Sequence, residues 1–338
     1  MTRFILKRLA LLVPQLILVV VGAFLLLRLL PVDPVTQRVG IFATEEGRAA
    51  VKEELGLDAS LGSQLGDFLG GIVRLDFGEA WTTGDPVFEE IAQRFPITLQ
   101  LIILGFMVAI AIAIPVALYV ASRPVGKADK GTTVYALFAG AQPDFWWGLF
   151  FVYIFFFILG WFPAPLGLLD IHLIPPNGPT KFVLIDSLLD WDIEVFVSVL
   201  KHLALPVITL AFVLTGPILK IMRQAAMDVH ASDYLLYAQA GGSPRQLRRR
   251  IIFRNALAPT LTVTGILFGF ALGGAVIIET VFSLQGMGRY SLDRTLSVDF
   301  PAIQAAVSVM AAFVLFIYLL LDVMYAVLDP RVRYGEPG

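Results

Sequence analysis

An all-α protein that crosses a membrane six times is what this sequence predicts. Three observations lead there. First, the chain has 338 residues, 57% of them hydrophobic and only 15% charged, whereas soluble domains carry about 25% charged residues. Second, the charges are gathered into clusters, so that residues 95–122, 145–169, 256–278 and 300–321 carry none. A helix needs about 20 apolar residues to cross a bilayer core, and a soluble protein has no use for several such runs. Third, basic clusters fall at every second gap between the runs. Cysteine is absent, which excludes disulfides, thiolate metal sites and a Cys nucleophile. His172, His202 and His230 are scattered without ligand spacing.

The spans are expected at about 9–30, 96–121, 132–159, 203–224, 256–281 and 302–327. The first begins after Arg3, Lys7 and Arg8 with an apolar run over 9–27. A signal-peptide core is about 7–15 residues long and precedes an A-x-A-like cleavage site. This run is longer and no such site follows, so it reads as a retained transmembrane helix. Arg28, near its end, is expected to anchor it by snorkelling to the interface. Residues 1–30 thus form an N-terminal tip and first span, 31–95 an extended segment outside the membrane, 96–327 a core of five spans, and 328–338 a tail.

Lys and Arg concentrate on the cytoplasmic side of bacterial membranes. Arg3, Lys7 and Arg8, then Arg123, Lys127 and Lys130, then Arg245, Arg248, Arg249, Arg250 and Arg254, then Arg331 and Arg333 all share one side if there are six spans. Both termini are then cytoplasmic. The opposite side is acidic. Residues 31–95 hold 12 Asp and Glu against 5 Lys and Arg, net −7, and residues 160–201 hold 5 against 2, net −3. Residues 61–78 mix Gly with Leu and Phe and are expected to pack on the membrane surface. The 160–201 loop carries Pro163, Pro165, Pro175, Pro176 and Pro179 and is expected to be irregular, with a short helix near 182–189.

The loop over 228–255 is the most informative stretch. From Asp233 it reads as two short helices around a turn. Ser232 or Asp233 can cap the first, and Gly241-Gly242, after Ala240, ends it, because glycine tolerates the left-handed conformation. Ser243 is expected to cap the second, with Pro244 at its first helical position, where a missing N–H is harmless. Leu247 and Ile251 lie four apart on one face, and arginines such as Arg249 occupy the others. A positive-inside signal touching anionic lipid explains the arginines. It does not explain the double glycine, the Ser-Pro restart or the apolar stripe, which suit a helix docking into a partner's groove.

Within the third span, Asp144 follows Pro143 and lies 12 residues, or about 18 Å, beyond Thr132. An ionisable group at that depth is expensive and tends to face a bundle interior or a wet cavity. Lining a translocation pathway, with Gln142 beside it, and merely capping a helix that restarts after Pro143 are both open.

"KRLALLVPQLILVV" near the start, "LGWFPA", "HLALPVITLA", "IETVFSLQGMGRY" and "DVMYAVLDPRVRY" stand in order along the chain. Together with "DYLLYAQAGGSPRQLRRRIIFRNALAP" they make it resemble the ABC-importer permeases of the peptide/nickel type, first-subunit branch. From Gly242 to "RNAL" the chain is one residue shorter than is usual there. Gly241 stands where a basic residue is common, and Gln285 where proline is common.

The resemblance implies the type I ABC importer permease fold in a bacterial cytoplasmic membrane. It implies that Asp233, Ala240, Gly241, Gly242, Ser243, Leu247, Arg249 and Ile251 couple this chain to an ATPase. It also implies partners: a second homologous permease, two ATPase subunits and a periplasmic or lipid-anchored substrate-binding protein. The implied cargo is a di- or oligopeptide, with nickel chelates, opines and sugars as alternatives. Glu279 opens a motif of the family at the outer end of the fifth span. A periplasmic gate, a contact with the binding protein and a snorkelling carboxylate are its open readings.

No G-x-x-x-x-G-K-[ST] loop is present to cradle phosphate, so ATP and Mg are expected on the partner subunits and no cofactor or metal on this chain. HExxH, GxSxG and paired catalytic carboxylates are absent too, so no catalytic residue is expected, and no nucleic acid is expected among the partners. An ion-coupled secondary transporter, which needs intramembrane carboxylates or broken helices at the midplane, has Asp144 as its one strong candidate.

Overall fold

The computed structural model describes residues 2–40, 42–123 and 126–328. The tail residues Arg331 and Arg333, and the end of the "DVMYAVLDPRVRY" motif, lie outside them. Among the described residues the elements are helical. α1 spans Thr2–Leu29, and three helices, α2 (Pro34–Val39), α3 (Glu45–Glu54) and α4 (Leu61–Arg74), follow it in the long acidic segment. α5 (Val87–Ala121), α6 (Lys127–Ala141) and α7 (Asp144–Phe151) come next, and a π-helical stretch, Val152–Ile158, extends α7. α8 (Val183–Leu189) lies in the proline-rich loop where a short helix is expected. α9 (Ile193–His230), the short α10 (Asp233–Ala240), α11 (Arg245–Val281), α12 (Met287–Leu296) and α13 (Phe300–Leu328) complete the chain.

Among the described residues five helices, α1, α5, α9, α11 and α13, are each long and apolar enough to cross a membrane. The sixth expected span is not one straight helix. α6 and α7 meet at an angle of 102°. The cause is local: Pro143 has no N–H to continue the ladder and forces the residue before it away from helical geometry. Gln142 accordingly sits at φ −118°, ψ 149°. Backbone freed in this way is tolerated at membrane depth only where protein or a wet cavity covers it.

The core is built on close helix approach. Ala109, Ala113, Ala117 and Ala121 repeat every four residues on α5 and are all buried, which lets α9 come near. At Gly105 a Cβ would stand 2.6 Å from Leu210 Cδ2 of α9. Small residues serve this purpose in membranes, where apolar contact with lipid is as good as contact with protein and tight packing has to supply the difference. Trp147, Leu203, Ile218, Met222 and Ile278 fill the space among α5, α7, α9 and α11. A second cluster, Phe77, Val87, Ile91, Met287 and Tyr290 with Ala302, Ala305 and Ala306, ties the 77–91 stretch to α12 and α13. α1 packs against α13, with Arg8 paired to Asp322 at 3.0 Å.

Candidate functional site

The loop between α9 and α11 holds most of the candidate residues. α10 ends in a Schellman motif. The Ser243 N–H donates to Ala238 O at 2.9 Å and the Gly242 N–H to Gln239 O at 3.0 Å, while Gly242 takes φ +74°. That pairing is the one expected when glycine closes a helix in the left-handed region.

Three details differ from the sequence expectation. The second helix of the pair is not short, because α11 runs unbroken from Arg245 through the fifth span. Ser243 does not cap it: among the described residues the N-cap position falls on Pro244, with no side-chain cap bond, while the Ser243 N–H closes α10 and its carbonyl accepts from Arg248. Nor does Ser232 or Asp233 cap α10. Ser232 is the N-cap residue, but its hydroxyl points back and donates to Val229 O at 2.6 Å.

The apolar stripe is divided. Leu247 is 47% exposed, whereas Ile251 packs against the core. Arg249, Ala240 and Asp233 are exposed. Sequence reasoning overlooked the larger apolar face. Tyr234, Leu236 and Tyr237 of α10 are all exposed, Tyr237 by 82%, while Leu235 between them is buried. The "YLLY" run was the available signal, but only the packing shows which member turns inward.

Asp144 stands at the bend between α6 and α7, half-buried, as the first residue of α7. The N-cap position of that helix is Pro143, which has no polar side chain to cap it. The Asp144 Oδ2 faces α11, where a Cβ on Gly274 would lie 3.3 Å from it. Gln142, on the other side of Pro143, is exposed.

Glu279 is fully buried, so it does not snorkel toward water. It accepts from the Thr98 hydroxyl of α5 and from the Arg289 N–H of α12 at 2.8 Å. Thr98 Oγ1 in turn accepts from the Met287 N–H at 2.7 Å. The pair therefore satisfies free N–H groups at the start of α12 and joins α5, α11 and α12. The glycines of "SLQGMGRY" make room for it: a Cβ on Gly286 would sit 2.3 Å from Glu279 Oε1, and one on Gly288 2.6 Å from Val276 N.

Two family comparisons now bear on this arrangement. Residues 113–334 match the family described as binding-protein-dependent transport system inner membrane component, and residues 1–102 match the N-terminal membrane component of the same systems. The chain belongs to this family. It is also 34% identical to the di/tripeptide transport system permease protein of Pseudomonas aeruginosa, over 99% of both chains. With the dipeptide transport system permease protein of Escherichia coli it shares 31%, over 99% of this chain and all of the relative. An ABC-importer permease of the inner membrane is thus what the ordered motifs predicted, and its role is transport.

One buried constellation in this permease escaped sequence reasoning. Arg294 of α12 lies 2.5 Å from Glu90 Oε1 and 3.7 Å from Asp299 Oδ2. Tyr290 donates its hydroxyl to Glu90 Oε2 at 2.8 Å. Thr82 donates to Asp299 from its N–H at 3.0 Å and its hydroxyl at 2.8 Å. Burial, and then the bond to Glu90, push the Tyr290 phenol well above its ordinary pKa, so it stays protonated and keeps donating. No local pattern announces a pair whose members stand 204 positions apart.

Proposed function

We propose that this chain is one of two permease subunits through which a di- or oligopeptide passes from a substrate-binding protein to the cytoplasm, driven by two ATPase subunits on the inner face. The observation that carries the reading is the 231–244 hairpin. Two membrane-long helices, α9 and α11, are joined by a short helix with exposed Tyr234, Leu236 and Tyr237 and a left-handed glycine closure. An exposed apolar face of this kind marks a docking surface, and a rigid turn transmits displacement to both helices. The peptide reading is supported by the names of the two full-length relatives.

The test is assembly and stimulation. The chain, expressed with two ATPase subunits and a second permease of the same system, should co-purify with them. Reconstituted with the binding protein, it should hydrolyse ATP faster on addition of a dipeptide than of a nickel chelate or a sugar. Failure to co-purify removes the coupling reading, and stimulation by another solute class alone removes the peptide reading.

In the same reading α2–α4, α8 and α12 face the periplasm and both termini the cytoplasm, as the acidic and basic loops imply. A periplasm-active reporter fused after Asp192 is therefore expected to score as exported, and a cytoplasmic score reverses the orientation.

Asp144 and Gln142 line the pathway in this proposal, because a polar break within an apolar span is a common place for substrate contact. Asp144→Ala should lower peptide uptake while assembly and basal hydrolysis persist. Asp144→Ser, which keeps a capping side chain at the start of α7, should not restore uptake, because it lacks the carboxylate; restored uptake would reduce Asp144 to a cap. Full uptake by both variants removes Asp144 from the pathway.

A further inference from the structure

Arg28 closes α1 at the edge of the apolar span Ile5–Leu29. Its Nη2 donates to Gln64 Oε1 of α4 at 2.7 Å. Its guanidinium carbon lies 4.2 Å from the ring centroid of Phe24 and 5.3 Å from that of Phe300. Its other terminal nitrogen, Nη1, is buried and has no hydrogen-bond partner among the described residues. Gln304, on the second turn of α13 and only 4% exposed, also leaves its Nε2 buried and, among the described residues, unpartnered. Both side chains line a single cavity of about 560 Å³, walled by the end of α1, by α4, by the 74–81 turn and by the start of α13.

Buried donors left without acceptors are costly, more so on a charged group, and arginine does not escape by releasing its proton. Two such donors on one cavity call for an oxygen-rich, anionic guest. Guanidinium is suited to phosphate, since its planar fork matches two phosphate oxygens. The surroundings say where the phosphate comes from. Leu25, Leu26 and Leu29 of α1 and Leu61 and Val73 of α4 are exposed, so acyl chains have apolar surface to cover beside the cavity. Asp67, Asp76 and Arg74, all exposed, also line it, so that with Arg28 two cations face two carboxylates. This balance of charge suits a headgroup that carries an ammonium next to its phosphate better than a bare anion.

We propose that this cavity binds a phosphate group, presented by the phosphoethanolamine headgroup of a membrane phospholipid. On the orientation proposed above that lipid belongs to the outer leaflet, a point that the reporter after Asp192 reads separately.

The test is lipid retention by the full-length chain, purified with its partner subunits in mild detergent and followed by native mass spectrometry. Dioleoylphosphatidylethanolamine, dioleoylglycerol and inorganic phosphate are the probes. Wild type should retain the phosphatidylethanolamine and not the dioleoylglycerol, which has the same chains and no phosphate. Arg28→Met should retain about tenfold less. Gln304→Glu, nearly isosteric and so a control against misfolding, should fall similarly because it sets a carboxylate against the phosphate. Displacement of the lipid by millimolar inorganic phosphate would keep the phosphate site and assign it to the free ion instead. Equal retention by wild type and both variants, or equal retention of dioleoylglycerol, overturns the proposal.

Discussion

Arg294→Met is expected to destabilise the permease by about 3–5 kcal/mol, the usual cost of removing one member of a buried ion pair. Glu90, Arg294 and Asp299 are 6%, 8% and 1% exposed, so neither carboxylate can turn to water once the guanidinium is gone. Tyr290, Thr82 and Thr83 would still donate to them, but hydroxyls supply no compensating charge. The network ties the 82–90 stretch to α12 and the start of α13, and its loss should loosen that whole face. Thermal denaturation of the detergent-solubilised chain, followed by tryptophan fluorescence, is the measurement. The double variant Glu90→Gln/Arg294→Met should recover part of the loss, because one orphaned charge goes with its partner. A shift of the size of an exposed pair, roughly 0–1 kcal/mol, would show that the network is open to solvent and structurally minor.

Gly242→Val is expected to abolish transport while leaving insertion and pairing with the second permease intact. At φ +74° a β-branched residue is strained, by about 1–3 kcal/mol. The strain is wholly a backbone effect, because a Cβ at Gly242 would meet nothing within 4 Å. Valine relieves it by leaving the left-handed region, which breaks the closing bonds to Ala238 and Gln239 and swings α10 relative to α11. On the proposed docking, the Tyr234, Leu236 and Tyr237 face would then no longer meet the ATPase. Gly242→Asn should be far milder, since asparagine tolerates this conformation. Leu247→Asp tests the adjoining apolar contact, and Arg249→Ala should have little effect because the side chain is exposed. Pull-down of the ATPase subunits from membranes carrying each variant reads the outcome. Full ATPase binding and full transport by both Gly242→Val and Leu247→Asp would reduce this loop to a positive-inside signal.

The sequence by itself determined the helical class, the approximate spans and the close of α10. Each rests on local physics. A bilayer leaves an open chain only helices with internally satisfied backbone bonds, so hydropathy over about 20 residues decides where they lie. Gly241-Gly242 announces a left-handed closure because almost no other residue pays so little for it. Pro143 announces a break, though not its angle.

Only the tertiary structure decided the rest. The continuity of α11 from Arg245 depends on packing along its length, and it turned an expected pair of short helices into one short helix and one long one. Ile251 turned inward and Leu247 did not, a choice that the neighbouring helices make. Of the three readings open for Glu279, the snorkelling carboxylate falls away because Thr98 and the N-terminus of α12 bury it. Arg28, expected to anchor the end of α1 at the interface, also meets Gln64 of α4 and Phe300 of α13. The Glu90–Arg294 pair, the Thr98–Glu279 contact and the Arg28–Gln304 cavity all join residues from distant parts of the chain. Periodicity and capping patterns reach only a few turns along a helix, so contacts of this kind come into being only when the helices pack.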